Sequence, residues 1–443
     1  MADFNLPAFE DALQEVPPVS IRFHPAKSFH PDWAGAWQQQ KVRWHPHGHY
    51  LHERPSFTLD PAWHAGGYYV QEAASMFLYE AVRQAVDIKK RLRVLDMCAA
   101  PGGKSTLLAA MLSEDSLLVC NEVIRSRMAA LRENMERWGC PNGAVSGEAS
   151  EVWERMEHFF DVIVTDVPCS GEGMFRKLPT AVSEWSPSHV SFCAARQKKI
   201  VAPVVRALAP GGVLIYSTCT YNPQENEENV AWMTRSFDLE TVELDIPSEW
   251  NIAGNGSTGY HFYPHRTRGE GFFIAVLRRK EDGRRAVHSV PTGFKHLRRL
   301  TAGQLPVVTP WLQRPEEFSF FQTVSGEVLA LPAACTEDYL ALDKVLAAKW
   351  FGLMVGQLKG NNFVPAHALA LSLAVADVLP RMPLDRREAL QFLRKEPLQK
   401  PDSLAQGWAL ATYKNLSLGW VKVLSDRINN YLPSDRRILM QST

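Results

Sequence analysis

The sequence lacks any apolar run long enough to cross a bilayer; the longest candidate, 366–379, is too short and is interrupted by Asp377. Its first residues, MADFNLPAFEDALQEV, carry acids in place of an apolar segment, so no signal peptide is expected. Together these predict a cytoplasmic protein with no membrane partner. Cysteine is sparse, with seven residues at 98, 120, 140, 169, 193, 219 and 335. An odd, scattered set with no close pair argues against a disulfide frame and against a zinc site. His45, His47, His49 and His52 cluster, but they have neither nearby cysteines nor a helical i, i+4 pair, so no metal is expected. Net charge is also missing, with 48 basic and 48 acidic residues. A uniformly basic nucleic-acid protein is thereby excluded, although an uneven distribution is not. Residues 281–443 carry 20 Lys and Arg against 15 Asp and Glu, leaving 28 against 33 in residues 1–280. No acid occurs from Gly283 to Pro315, where Arg284, Arg285, Lys295, Arg298, Arg299 and Arg314 fall. A solvated linker and an RNA contact explain that run equally well.

What is present is organised around Asp96–Thr106, DMCAAPGGKST. The apolar run before it reads as a buried strand and the residues after it, to Leu112, as a helix. Gly102 and Gly103 permit a sharp bend and close approach to a ligand, and a helix start offers free N–H groups. The G-x-G-x-x-G fingerprint of dinucleotide sites is absent, which points away from NAD and towards S-adenosylmethionine. Further strands are predicted at 92–96, 117–121, 144–145, 161–166 and 213–217, with a late one at 272–277 on the sheet edge. Helices alternate with them, at 124–138 and 192–208, the latter stopped by Pro210-Gly211-Gly212. This is the α/β pattern of a mainly parallel, doubly wound, Rossmann-like sheet. Residues 1–65 are proline-rich and irregular apart from a strand over 19–23, and 66–76 reads as a turn followed by a helix that runs to about Val86. Towards the C-terminus a helix is expected over 365–379, another over 389–394, and a β-hairpin around Lys414-Asn415.

Candidate chemistry lies at the strand ends. Glu122 follows the second strand, where a carboxylate can accept hydrogen bonds from a ribose. Cys169 lies three residues past Asp166, and Cys219 two past Ser217, each at the edge where such sheets bind ligands. Cys120 and Cys193 sit inside predicted elements and read as structural. Position alone does not rank Cys169 against Cys219.

DMCAAPGGKS, DVPCSGEG and YSTCTYNPQENEENV, in that order on successive strand ends, resemble the cytosine-C5 RNA methyltransferases of the Sun/RsmF type. YYVQEAASM, Gln197, PHRTRGEGFFIA, the lead-in from Ile21 to Lys27, and the tail motifs LGWVK and RINNYLP extend the resemblance over nearly the whole chain. Departures are mild: Val167 in place of alanine, Gln224 in place of glutamate, Glu148 in place of aspartate. The resemblance implies an N-terminal RNA-binding lead-in (1–75), a class I methyltransferase domain (76–282), a basic linker (283–300) and an α+β C-terminal region with a PUA-like RNA-binding domain (301–443). It places Cys98, Ala99, Ala100, Pro101, Gly102, Gly103 and Lys104 around the methionine part of S-adenosylmethionine, Glu122 on its ribose and Glu148 on the adenine side. Asp166, also beside the cofactor, would bond the cytosine edge. Cys219 would be the nucleophile, Cys169 would assist proton removal, and Lys104 would lie beside the base. Two thiols answer a chemical need: cytosine C5 attacks a methyl donor only after a thiolate has added at C6.

The expected partner is 16S ribosomal RNA in the small subunit, bound by a monomer. Arg22, Lys27, Arg427, Arg436 and Arg437 are candidate RNA contacts. Transfer RNA as substrate, a non-catalytic ribosome-assembly factor, and an amine or protein methyltransferase remain as rival readings.

Overall fold

Runs of aliphatic residues in the middle of the chain pair side by side as the parallel centre of a ten-stranded sheet. In a computed structural model that describes residues 4–29, 40–281, 285–286, 288–347, 349–360 and 362–440, these are β1 (Arg93–Asp96), β2 (Leu117–Asn121), β3 (Gly143–Ser146), β4 (Phe160–Asp166) and β5 (Leu208–Thr218). They lie in the order β5-β4-β1-β2-β3, so the chain reverses direction across the sheet between β1 and β4. In doubly wound sheets that switch point is where ligands bind. Helices α1 (Gly103–Met111), α2 (Arg125–Trp138) and α3 (Pro187–Arg206) connect the strands.

Strand period decides which side chain faces which layer. Val94, Leu118, Val162 and Ile215 point to the face covered by α1 and α2, where Leu107, Leu131 and Trp138 meet them. Leu95, Val119, Ile163 and Leu214 point to the other face, against Val201 and Val204 of α3. Both faces are covered, as the near-continuous apolar strands require.

The flanks depart from the sequence reading. The strand expected at the sheet edge, β9 (Phe272–Arg279), is interior: it pairs with β5 on one side and with β8 (Gly259–Phe262) on the other, with β7 (Ala253–Asn255) outside that and β6 (Leu239–Thr241) along its far end. These added strands are three or four residues long, too short and weakly patterned to stand out. At the opposite edge, β10 (Lys349–Phe351) adds antiparallel to β3, although the sequence reading ended the catalytic sheet near 280.

Residues 66–76 are not a turn entering one helix. Tyr68–Val70 is a strand pairing with Val19–Phe23, which pairs in turn with Gly48–Leu51; a short 3-10 turn and the helix Leu78–Ala85 follow. The N-terminal region also holds a helix, Leu6–Gln14. The helix expected over 365–379 is confined to His367–Leu371. The chain then turns because Leu373 N–H and Ser372 Oγ both donate to the Gly139 carbonyl past the end of α2. The expected hairpin forms, Gly407–Tyr413 against Leu416–Val423, within a four-stranded sheet. Between it and β9 lies a five-stranded antiparallel sheet. Its first strand, Leu297–Arg299, falls within the predicted linker. The cations of the acid-free run 283–315 are partly docked: Arg285 pairs with Asp161 at 2.8 Å and Arg314 with Glu114 at 2.9 Å, while Arg284 lies outside the described residues.

Candidate active site at the sheet switch point

Asp96 ends β1 fully buried. Its Oδ2 accepts from Ser105 Oγ of α1 at 2.7 Å, and its Oδ1 has no partner among the described residues. Burial pushes its carboxyl up to about 7; the Ser105 bond opposes that, and the nearby Asp166 charge adds to it. Between Asp96 and α1 the chain bends at Gly102, whose φ of 112° suits glycine. Arg22 holds the first turn of α1 from behind. It is buried, donates to Thr106 Oγ1 at 2.7 Å and to the Gly103 carbonyl at 3.3 Å, and stacks on Trp138 at 4.4 Å. Burial lowers its guanidinium to about 9.

Glu122, just past β2, is buried; its Oε1 accepts from the Ile124 N–H at 2.9 Å and its Oε2 lies 3.2 Å from Arg127, which also donates to the Ala100 carbonyl. Asn121 clamps the backbone of Glu148 after β3, accepting from its N–H and donating to its carbonyl, both at 2.9 Å. The Glu148 carboxylate accepts from the Ala347 N–H, so the accessory region closes over this end of the site. Asp96, Asp166 and Glu122 thus converge, with Lys104 and Arg127 the cations paired against them among the described residues. A ligand carrying positive charge and hydroxyl groups suits that set, and the unpartnered Asp96 Oδ1 leaves an acceptor for it. S-adenosylmethionine, with a sulfonium, an ammonium and a ribose, has that chemistry.

Across the switch point Asp166 ends β4. Its Oδ1 accepts from Ser217 Oγ at 2.7 Å and its Oδ2 pairs with Lys104 Nζ at 2.8 Å. Burial lowers the Lys104 ammonium, but Asp166, with Asp96 and Cys219 beside it, outweighs that and the net direction is upward. Cys169 and Cys219 come together with sulfurs 3.0 Å apart, both free thiols, and the Cys219 N–H points at Cys169 Sγ at 3.3 Å. The Cys219 contact raises the Cys169 thiol well above its ordinary value, and burial and the Glu225 charge add to the shift.

Glu225 has no exposed surface. It accepts from the Ser170 N–H at 3.0 Å, from Ser170 Oγ at 2.5 Å and from Gln197 Nε2 at 2.7 Å. Gln197 also donates to the Pro168 carbonyl and accepts from Tyr216 OH and Asn229 Nδ2. The loop carrying Cys169 is therefore pinned on both sides of the cysteine. Sequence reading singled out Gln197 only through resemblance and missed Glu225; the signal available was a carboxylate in a polar run that follows a reactive strand end.

Other expectations need revising. Arg22 is buried, and Lys27 is half-buried with its ammonium spent on the carbonyls of Ala65, Arg137 and Leu371. Arg436 is 19% exposed and tied to Glu133 and Glu136 of α2. Arg427 and Arg437 are exposed. Among the described residues no group of three or more His, Cys, Asp or Glu could hold a metal, and no helix is long and apolar enough to cross a membrane.

Three family descriptions match the chain: the N-terminal domain of 16S rRNA methyltransferase RsmF at residues 1–73, 16S rRNA methyltransferase RsmB/F at 83–278, and the methyltransferase RsmF PUA domain at 380–438. The ribosomal RNA small subunit methyltransferase F of Serratia proteamaculans is 33% identical over 77% of this chain and 73% of its own length. That of Shewanella loihica is 30% identical over 91% and 84%. A methyltransferase homolog from Pyrococcus horikoshii has a similar structure, with TM-score 0.52 and 28% identity over 61% of this chain and 90% of that one. NSun6 from the same organism, solved with SFG, shares the fold at TM-score 0.53 and 21% identity, over 62% and 94%. By sequence over most of its length and by the fold of its central sheet, the chain belongs to the RsmB/F family of S-adenosylmethionine-dependent small-subunit rRNA methyltransferases.

Proposed function

We propose that this protein methylates C5 of a cytosine in 16S rRNA through a covalent adduct between Cys219 and C6 of the base. The observation that carries the reading is the pair of free thiols 3.0 Å apart at the edge that also holds the Lys104–Asp166 pair. Bound S-adenosylmethionine would supply an electrophilic methyl group. Cys98 to Lys104 would surround its methionine part, Glu122 its ribose, and Glu148 its adenine side. The target base must leave its stack to reach this edge. Cys219 adds as thiolate to C6, and the bond electrons move to C5, which becomes nucleophilic. Asp166, oriented by Ser217 and Lys104, meets the cytosine edge and steadies a proton at N3 as charge develops there. Once C5 carries the methyl group, its proton passes to a base at Cys169; the C6–sulfur bond breaks, and Cys219 is released. The reading includes a monomer acting in the cytoplasm.

Tritiated cofactor, fractionated RNA and bisulfite sequencing test the reaction: label at cytosine C5 of 16S rRNA is expected, and label confined to protein, to nitrogen or to transfer RNA would overturn it. The Cys169→Ala variant should accumulate a denaturant-stable protein–RNA adduct and Cys219→Ala none. The reverse pattern would reassign the nucleophile.

A further inference from the structure

The loop between β8 and β9, residues 263–271, emerges at the sheet edge that carries Cys219, because Phe262 and Phe272 pair there and Phe273 pairs with Thr218. Arg266 and Arg268 on it are exposed. With Lys41 and Arg43 of the N-terminal region and Trp250 ahead of β7, they line a cavity of about 460 Å³ that no acidic residue enters. None of the four cations forms an ion pair among the described residues. Two are oriented in advance: the Arg268 guanidinium stacks 4.5 Å over the Tyr50 ring, and Arg43 donates to the Glu249 carbonyl. Trp250 is half-buried, with part of its indole open to the cavity.

Four like charges round one hollow repel each other, and among the described residues no carboxylate forms an ion pair with any of them, although Glu80 and Glu249 line the adjoining cavity; an anion would relieve them. Guanidinium groups beside a half-buried indole are what a nucleotide uses, the phosphate on the cations and the base on the ring. The cavity is also close to the reacting centre. Phe272 is four steps along the chain from Arg268, a reach of at most about 14 Å; the Phe272 ring lies 5.1 Å from Lys104 Nζ, and Gly271 abuts Gly173, whose N–H donates to the Cys219 carbonyl.

We propose that this cavity binds a nucleotide flanking the target base in single-stranded RNA, its phosphates on Lys41, Arg43, Arg266 and Arg268 and its base against Trp250. The inference rests on RNA being the substrate, but not on which atom is methylated.

The test is binding of a fluorescein-labelled oligouridylate of about 12 nucleotides to the full-length protein between about 50 and 200 mM KCl. The double variant Lys41→Ala/Arg266→Ala removes two exposed, unpaired side chains. Its salt slope should fall by about 1.4, and its Kd at low salt should rise by roughly one order of magnitude. Trp250→Ala should weaken binding several-fold without changing the slope, while affinity for S-adenosylhomocysteine stays at the wild-type value in both variants. Unchanged Kd and slope in the double variant would overturn the proposal. Loss of binding in the variants alongside an absence of C5 label in the wild type would keep the cavity's role and remove the proposed reaction instead. Failure of the wild-type protein to bind RNA would remove both.

Discussion

Glu225 illustrates how a residue that touches no substrate can set the geometry of one that does. Its carboxylate satisfies both the backbone and the hydroxyl of Ser170, the residue next to Cys169. Glu225→Leu keeps the bulk but can accept from neither Ser170 nor Gln197, so the loop must move. kcat should fall by about 10- to 100-fold, an effect of misplacement by about an ångström. RNA affinity should be unchanged, and the enzyme should trap adduct as Cys169→Ala does. A variant whose only defect is a lower Tm would show Glu225 to be a packing residue. Asp96 gives a pH dependence with a definite sign. Its folded carboxyl is raised from 3.8 to about 7, so its contribution to stability is fully present below the unfolded value and is lost as pH rises through about 7. Unfolding midpoints of the ligand-free protein should decline between about pH 5 and 8. Asp96→Asn, which still accepts from Ser105, should recover about 2–4 kcal/mol at the upper end. Equal slopes for the two proteins would show that Asp96 is ionised throughout.

Among elements, what could be read in advance was whatever announces itself locally. β4, with its β-branched run, and α2, with Leu131 and Met135 at helical spacing, lie close to where the sequence places them. The motif residues at the ends of β1, β4 and β5 fall at one edge because a parallel sheet leaves them nowhere else to go. What could not be read is what a distant partner decides. Tyr68–Val70 becomes a strand because Val19–Phe23 lies beside it, and 365–379 breaks because a helix end 230 or so residues away in sequence offers the Gly139 carbonyl. Lys27 is the extreme case. A basic residue in a lead-in reads as an RNA contact, yet its ammonium donates to the carbonyls of Ala65, Arg137 and Leu371 at 2.8–3.0 Å. Each of these carbonyls lies at the C-terminal end of a helix, where partial negative charge collects. Burial lowers the ammonium to about 7, but three acceptors call for three N–H donors, which only the charged form has. Lys27→Met should leave three orphaned carbonyls and cost about 2–4 kcal/mol in urea unfolding. A loss below about 0.5 kcal/mol would show that the staple contributes no more than a surface ion pair.

At the scale of the molecule, the regions the sequence sets end to end are interlocked. Ile21, Leu51 and Tyr68 of the N-terminal sheet share one apolar cluster with Leu390, Leu418 and Val421 of the PUA domain. Tyr339, Leu342 and Phe351 of the intervening region complete the core on the α3 face of the catalytic sheet. Arg91 and Arg93, at the start of β1, both pair with Asp338. β10 covers the edge of β3, and Ala347, just before it, meets the carboxylate of Glu148. A fragment ending at 282, where the sequence alone would cut, would lose these contacts together. The β3 edge would then offer unpaired N–H and C=O groups, and Leu117, Val119 and Ala144 would lose the side chains that now cover them; a bare edge beside an apolar face invites pairing with other chains. Such a fragment should elute as aggregate in size-exclusion chromatography, and residues 285–440 supplied as a separate chain should restore part of its solubility. A monodisperse 1–282 fragment that binds S-adenosylhomocysteine with full affinity would show that the catalytic sheet needs no strand from outside, and would return the boundary to where charge and composition alone would draw it.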